Sequence, residues 1–444
     1  MKYLFKVILL FFVVFNFKFP VVHYSCTAAI FIAGIYYLFF NQSFTIKYFS
    51  NRYCAVILAG TLVLTFIDVL ISNFHGNAVG GSYKRYLVEG WMLACLAFVL
   101  PILIDNEESA FNEAIAVICG AFALQGLIHT LGFLIPPFGE FLVNFQSDVY
   151  RSEGLSSDRM NYFRLYSLTG APFFDLPAAY GFACIMFFRL QLVPNQNYLR
   201  GWKAFVVIVL MLLGISLSGR TGFTGFALGL AFYLYYNWSK FSTLWKNIIE
   251  IAGGYLCLLA VFYVALTPVQ RNKIVDDVFP FAFEAYYNWR NNGKFGTGSS
   301  DQMMEYHYYH LETSTILWGE SLGSVNLQRY HSTDAGYMNI LIFGGIFYFL
   351  ALIIYQLIYF WTPMKLARKD DSKNGKIDFF GFFILFAYFF ILEYKGRALG
   401  YIHTAEVIVL YYGISYLSER YALEDAVEEE ETSGEELLEK PAIV

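Results

Sequence analysis

Charged residues are scarce in this sequence. Of its 444 residues only 15% are Asp, Glu, Lys or Arg, whereas 57% are hydrophobic. A soluble globular domain has about 25% charged residues, so this composition excludes an ordinary soluble protein. The mean hydropathy is +0.49, and apolar runs of about 20 residues, the length that crosses a bilayer, recur along the chain. The sequence therefore predicts an all-α polytopic integral membrane protein without a separate soluble domain.

Several chemical motifs are also missing. The six cysteines lie in or beside apolar segments and form no Cys-x-x-Cys pair, so neither a disulfide framework nor a zinc site is expected. The sequence contains no phosphate-binding loop of the ATPase type and no Gly-rich dinucleotide fingerprint. We therefore expect no cofactor, no metal site and no nucleic-acid partner.

About twelve apolar segments are long enough to form membrane-spanning helices. They lie at residues 3–17, 21–40, 54–73, 86–104, 113–135, 174–192, 203–218, 222–238, 247–267, 335–361, 378–393 and 399–417. No small-residue cleavage site follows the first, so we interpret it as an uncleaved helix. Residues 203–238 as one helix would be about 54 Å long, far beyond the roughly 30 Å hydrocarbon core. That run therefore predicts a hairpin that turns around Arg220.

Positive charge sets the predicted orientation, because short cytoplasmic loops are enriched in Lys and Arg. Four short connections share this enrichment and favour cytoplasmic termini; their basic residues are Lys47, Arg52, Arg200, Lys203, Lys240, Lys246, Lys365, Arg368, Lys369, Lys373 and Lys376. Two features depart from the rule. The inner loop near Asp105 has only acids, and Lys84 and Arg85 lie outside.

This orientation divides the chain into a membrane part and a tail. We expect one membrane-embedded domain at residues 1–420, with two large outward loops at 136–172 and 268–333. Residues 421–444 are rich in Asp and Glu and predict an acidic, disordered cytoplasmic tail.

Arg220 lies between two glycines at the predicted outer end of the hairpin, where Ser218 or Thr221 could cap the next helix. A helix N-terminus offers backbone N–H groups and a positive dipole, which beside a guanidinium can bind phosphate. An arginine that reaches the lipid headgroups from a tight turn explains the turn equally well. Gly225 and Gly229 form a small-residue face, which predicts close helix packing.

Two further helices begin at the outer side with basic residues nearby. The residues are Arg164 and the capping candidate Asp175 for one helix, and Arg329, His331 and the capping candidates Thr333 and Asp334 for the other. Three such helix starts would form a basic diphosphate pocket if they converge. His331 could act there as a general base on a sugar hydroxyl, although a histidine at a helix cap is more often structural.

The second large loop is rich in aromatic residues. Sugar rings pack their C–H faces on such side chains, which makes Trp289 and Trp318 candidate glycan-binding residues, with Tyr337 at the start of the next span. Contact with the membrane surface is the alternative for half of the aromatic residues. Residues 301–321 predict a single amphipathic helix within this loop.

Three stretches carry a resemblance to a known family. They are SLSGRTGFTGF around Arg220, LTGAPFFDLPAAYG after Arg164, and WGESLG followed by HSTDAGYMNILIFGGIFYFL before the tenth span. Together with about twelve spans and one dominant outward loop before a late span, they resemble the bacterial O-antigen polymerases of the Wzy type and the related O-antigen ligases.

The resemblance implies a glycosyltransferase of the bacterial inner membrane that acts without metal or nucleotide. Its donor would be an undecaprenyl-pyrophosphate-linked oligosaccharide, with membrane lipids and a chain-length regulator as further partners. The residues implied for the pyrophosphate are Arg164 and Arg220, with Arg290 and Arg329 as further contacts. His331 would lie near the attacking hydroxyl.

Two other functions remain as alternatives. Ligases typically have His followed by Asn or Ser and then a Tyr-Leu pair, whereas here His331 is followed by Ser332, Thr333 and Asp334. This departure favours a polymerase and leaves the base open between His331 and Asp334. A polysaccharide flippase would usually show two similar halves and short, even loops, and neither feature is visible in this sequence.

Overall fold

A computed structural model describes residues 2–19, 22–40, 51–75, 83–146, 167–169, 174–193, 196–278, 284–293, 296–298, 301, 303–321 and 333–438. Twelve helices of 14 or more residues lie within these ranges. Nine of them precede the large loop, together with the short helix α6: α1 Lys2–Phe15, α2 Ser25–Phe40, α3 Arg52–Phe74, α4 Tyr83–Leu103, α5 Ala110–Leu134, α6 Pro136–Val143, α7 Asp175–Gln191, α8 Trp202–Ser218, α9 Thr221–Asn237 and α10 Phe241–Ala265. The other three follow the loop, at Gly336–Lys369, Lys373–Glu393 and His403–Leu438.

Short elements fill the large loop before the last three long helices. In chain order they are α11 Pro268–Lys273, a π-helix Ile274–Val278, α12 Glu284–Asn292, a π-helix Met303–His307 and α13 Thr313–Trp318; the long helices that follow are α14 Gly336–Lys369, α15 Lys373–Glu393 and α16 His403–Leu438. The 3₁₀ turns are Glu107–Ser109 and Trp238–Lys240, and strands β1 Lys18–Phe19 and β2 His23–Tyr24 pair antiparallel.

The helices confirm an α-helical membrane protein. Within the described part of the chain, five segments are long and apolar enough to cross a bilayer: Arg52–Phe74, Lys84–Leu103, Glu107–Leu134, Gly336–Lys369 and Lys373–Glu393. Shorter apolar helices occur at Ser25–Phe39, Trp202–Ser218 and Ile249–Ala265. The count of twelve spans stays a prediction. The last helix continues through the acidic stretch to Leu438, and the division of the chain at residue 420 also stays a prediction.

The predicted hairpin is present, with α8 ending at Ser218 and α9 beginning at Thr221. Its second helix packs closely on α7 through glycines. A Cβ added to Gly225 would lie 2.3 Å from the Gly181 Cα, and one added to Gly229 would lie 3.0 Å from the Ile185 Cα. Close packing through the small-residue face is therefore confirmed.

Residues 301–321 do not form the single amphipathic helix that their pattern predicts. The π-helix ends at His307 and α13 begins only at Thr313, after extended backbone at Glu312. Leu311 is buried in a small apolar cluster with Met303 and Met338. The chain therefore leaves the helical conformation after His307, and Leu311 is buried against α14 instead.

One end of the bundle, called here the ion-pair end, buries its charges in pairs. Arg189 donates from Nε and Nη2 to Asp378 Oδ1 at 2.9 and 2.6 Å, which joins α7 to α15. Lys6 Nζ lies 2.5 Å from Asp105 Oδ1 and 2.7 Å from Glu113 Oε1. Asp105 and Glu113 are thus paired with a lysine from α1.

Candidate functional site

Three long helices begin together at the other end of the bundle, called here the site end. A Cβ on Gly222 of α9 would lie 2.7 Å from the carbonyl oxygen of Pro177 in α7. A Cβ on Gly336, the first residue of α14, would lie 2.5 Å from the Gly396 carbonyl oxygen. Gly396 in turn packs on the ring of Phe174, which precedes α7. The helix starts at Asp175, Thr221 and Gly336 therefore lie in one region.

The caps expected from the sequence are mostly absent. Arg220 itself is the N-cap residue of α9 and Phe174 that of α7, and neither helix has a side-chain cap. Asp175 lies in the first turn of α7 and is buried. At α14, Thr333 Oγ1 accepts from the Ala335 N–H at 3.1 Å. Of the predicted capping residues, Thr333 is the one whose side chain accepts a hydrogen bond from a backbone N–H group just before a helix.

Arg220 connects the hairpin to the large loop. Its side chain is 27% exposed, and Nη1 lies 3.6 Å from Glu284 Oε2 at the start of α12. The same short helix carries the predicted residues Trp289 and Arg290, both exposed. Arg220 therefore contacts the helix that carries Arg290, a predicted phosphate-binding residue, and Trp289, a predicted glycan-binding residue.

Asp334 is paired with a histidine that the sequence did not select for this role. The Asp334 backbone N–H donates to His307 Nδ1 at 3.0 Å, and His307 Nε2 lies 3.9 Å from Asp334 Oδ2. Because Nδ1 accepts a hydrogen bond, the neutral imidazole carries its proton on Nε2, facing the carboxylate. The Asp334 side chain is 84% exposed and is open to an incoming hydroxyl. The predicted residues Arg164, Arg329 and His331 lie outside the described residues.

Trp318 and Tyr337 lie in different environments. Trp318 is exposed and lines a cavity of about 430 Å³ together with His75, Thr315 and Glu320. The Tyr337 hydroxyl donates to the Phe390 carbonyl at 2.9 Å, so it already has a structural partner. Trp318 is therefore the better placed of the two for a sugar ring.

The cavity lies beside a break in α14. Gly345 has φ 68° and ψ −168° inside the helix, a left-handed conformation that favours glycine. The loop segment compensates for the break, because the Glu320 and Ser321 N–H groups donate to the carbonyls of Ile342 and Phe343 at 2.7 and 2.8 Å. Irregular backbone within a membrane bundle must be satisfied by protein in this way.

Two arginines that the sequence did not select lie against the ring of the same tyrosine at the site end. The guanidinium carbon of Arg85 lies 3.5 Å from the centre of the Tyr401 ring, and that of Arg397 lies 4.8 Å from it. Arg397 also donates to the hydroxyls of Tyr348 and Tyr86 at 2.7 and 3.1 Å. Both arginines are half-buried. A tyrosine face stabilises each cation and leaves guanidinium N–H groups for an anion.

The segment that carries Arg397 dips into the bundle. Ala398, Leu399 and Ile402 are buried, and the N–H groups of Ala398 and Leu399 both donate to Glu393 Oε2 at 2.7 Å. The Gly400 N–H, at a residue with φ 60°, donates to Gln356. Glu393 therefore acts first as a structural acceptor that holds Arg397 and Tyr401 in position.

Buried acids lie deeper, below the two arginines. Glu89 and Glu406 are fully buried, and His403 Nδ1 lies 3.6 Å from Glu89 Oε2. Asp175 interacts electrostatically with both Arg85 and His403. The signal for these residues was present in the sequence, since an ionisable side chain inside an apolar span marks a functional site by default. Glu89 and Glu406 both lie inside the predicted spans at 86–104 and 399–417.

Outside the membrane-spanning segments, one tyrosine of the large loop has a shifted pKa. Partial burial raises the pKa of Tyr308 above its usual value, and the neighbouring Tyr394 contributes to the increase. The hydroxyl stays protonated and donates to the Tyr394 carbonyl at 2.9 Å. This bond fastens the large loop to the end of α15.

No protein-family model matches the chain, and no curated protein or solved structure is significantly similar to it. Only the site itself therefore indicates a function. At one end of a membrane bundle the structure brings together arginines, converging helix starts, an exposed carboxylate and an aromatic cavity. Such a site can bind a diphosphate and a sugar next to a proton acceptor.

Proposed function

We propose that the protein polymerises undecaprenyl-pyrophosphate-linked oligosaccharide units into an O-antigen or capsule-like polysaccharide. In this proposal the bundle crosses the bacterial inner membrane about twelve times, both termini are cytoplasmic and the site end faces outward. The observation that carries the proposal is the pair of arginines, Arg85 and Arg397, stacked on Tyr401 beside three converging helix starts. Arg220 supplies a third guanidinium at the same end.

The chemistry is a displacement at the anomeric carbon of the donor. The acceptor hydroxyl oxygen forms the new C–O bond while the bond to the diphosphate breaks, and the diphosphate leaves with the electron pair. The arginine guanidinium groups stabilise the negative charge that develops on the departing diphosphate. Asp334, oriented by His307, accepts the hydroxyl proton, and His331 stays a predicted alternative base.

The glycan has a separate place in this proposal. Trp318 lines an open cavity with hydroxyl, imidazole and carboxylate groups, which is the combination that holds a sugar by its C–H face and its rim. Trp289 on α12 would contact the chain from the loop side. Because the donor's diphosphate bond already supplies the energy, no nucleotide is needed.

The test is Arg220→Ala in a host that lacks its own copy of the protein. At equal membrane abundance, the expected result is loss of long-chain polysaccharide and accumulation of single lipid-linked units on the outer leaflet. The matched control is Arg200→Ala, which removes an exposed arginine before α8 and should leave chain length unchanged. Normal chains from Arg220→Ala would refute the phosphate role.

The same experiment separates the alternatives. Loss of a polymerase leaves one repeat unit on lipid A core, whereas loss of a ligase leaves none. Accumulation of single units on the cytoplasmic leaflet would instead identify a flippase. The aromatic cavity and the carboxylate next to the helix starts favour glycosyl transfer over transport.

A further inference from the structure

Three potential metal ligands lie together inside the bundle. One ligand atom each from Glu89, His403 and Glu406 lies within 4.8 Å of the other two. His403 Nδ1 is 3.6 Å from Glu89 Oε2, close to the roughly 3.4 Å edge of a tetrahedron with metal–ligand bonds of about 2.1 Å. The geometry needs only small side-chain movements to close around an ion.

The surrounding helices hold these ligands in suitable orientations. His403 and Glu406 are three residues apart at the start of α16 and therefore project from one face. On α14, the hydroxyls of Tyr355 and Tyr359 both donate to Glu89 Oε1, the latter at 3.3 Å. Glu89 Oε2 is thereby left to face His403. A hydrogen bond that fixes the second oxygen of a ligand is the usual arrangement around protein metal ions.

The buried atoms of this cluster lack partners within the described part of the chain. Both carboxyl oxygens of Glu406, Oε2 of Glu89 and Nδ1 of His403 have no hydrogen-bond partner there. Glu89 and Glu406 are fully buried, and one carboxyl oxygen of each lies within 4.8 Å of the other; as ionised carboxylates, the two groups could only accept hydrogen bonds. Buried charge of this kind is costly unless it is paired or bound to a metal.

A single proton would satisfy only some of the buried atoms of Glu89, His403 and Glu406 that lack a partner. One proton shared by Glu89 and Glu406 satisfies two oxygens and leaves the imidazole nitrogen facing a carboxyl without a bond. Neither Arg85 nor Arg397 supplies the missing hydrogen bonds within the described residues, because both carboxyl oxygens of Glu406 and Oε2 of Glu89 accept none there. A divalent cation would satisfy all three side chains at once and neutralise both carboxylates.

We propose that Glu89, His403 and Glu406 bind one divalent transition-metal ion. One nitrogen and two oxygen ligands suit Zn²⁺ and its neighbours better than Mg²⁺ or Ca²⁺, which prefer oxygen alone. The ion joins α4 to α16 and, through the tyrosines, to α14, below the Arg85–Tyr401–Arg397 stack. The sequence predicted no metal site because Glu89 and the other two ligands are far apart in the chain. The inference does not depend on glycan transfer.

The test uses the full-length protein, purified in detergent through a tag without histidine. Elemental analysis after dialysis against a weak chelator should find one zinc per chain. Glu406→Gln keeps the shape of the side chain and should lower zinc affinity at least 100-fold, a loss larger than the 10- to 100-fold typical of outer partners. Tyr355→Phe should fall in that smaller range. Glu250→Gln, an exposed position on α10, is the matched control and should bind like wild type.

Cobalt gives a second readout that needs no variant. Co²⁺ bound to wild-type protein should show the intense visible bands of a four-coordinate site, and Zn²⁺ should displace it. Equal zinc content in wild type and Glu406→Gln would overturn the proposal, as would wild type that binds neither ion. The cluster would then be a carboxyl pair that shares a proton. Neither result would affect the polysaccharide test of Arg220→Ala.

Discussion

The buried pair Arg189–Asp378 tests what stabilises the ion-pair end of the bundle. Asp378 is 2% exposed and accepts two hydrogen bonds from Arg189. Asp378→Leu would leave Arg189 with the side-chain oxygen of Asn112 at 2.5 Å and the ring of Phe111 at 4.1 Å. A guanidinium that loses its buried carboxylate is an uncompensated charge, and this change costs about 3–5 kcal/mol. We expect a loss of that size in the free energy of unfolding.

The double variant Arg189→Met with Asp378→Leu separates pairing from packing. Replacement of a whole buried pair by apolar side chains of similar size is often neutral, so most of the lost stability should return. Unfolding in SDS, followed by protein fluorescence, measures the free energy of each variant. Glu250→Leu is the control, because its pair with Lys246 is exposed and long at 3.9 Å and should matter by less than about 1 kcal/mol. A single variant within 1 kcal/mol of wild type, or a double variant no better than the single one, would refute the reasoning.

Three further predictions follow from other contacts. Gly225→Val should lower the melting temperature of the purified protein, because the added Cβ would meet the backbone of α7. Such overpacking costs about 1–3 kcal/mol of stability. The control Gly253→Val, where a Cβ has open space, should lower stability far less. Arg397→Lys should abolish long-chain polysaccharide without loss of protein, since an ammonium cannot replace a stacked guanidinium with several directed donors; normal banding would contradict this. Partial burial acts to raise the pKa of Asp370, but hydrogen bonds from Ser372 and the Arg420 guanidinium outweigh it and hold the pKa below its usual value. The stabilisation by Asp370 is therefore present above about pH 4 and is lost as the pH falls through the lower, folded-state pKa. Asp370→Asn should remove this loss and flatten the acid side of a stability profile measured between about pH 2 and pH 6.

The helices were predictable because each has a local cause. The apolar runs at residues 203–218 and 222–238 predict helices that the structure places at Trp202–Ser218 and Thr221–Asn237. Length alone required the turn at Arg220, and the glycine spacing predicted the packing of α9. The large loop was not predictable in this way, since burial of Leu311 against α14 is a tertiary effect that overrides helical periodicity.

The site was predictable only in part, and the reason is sequence distance. Arg220 and Asp334 were found because each lies beside a helix start that is visible in its own stretch of sequence. Arg85 and Arg397 were missed because the ring that both contact, Tyr401, lies in the turn before α16, far from Arg85 in the sequence. His307 was missed because its partner, Asp334, is 27 residues away in the sequence.

Two of the residues that depart from the charge rule, Asp105 and Arg85, each have a partner from a distant part of the chain. Asp105 lies in a loop where Lys and Arg are expected, and the structure pairs it with Lys6. Arg85, a basic residue on the predicted outer side, stacks on Tyr401 and interacts with Asp175. The positive-inside rule describes how Lys and Arg are distributed among short loops. Where a charge departs from it, a partner from a distant part of the chain is expected, and in this protein one such departure leads directly to the arginine pair of the site.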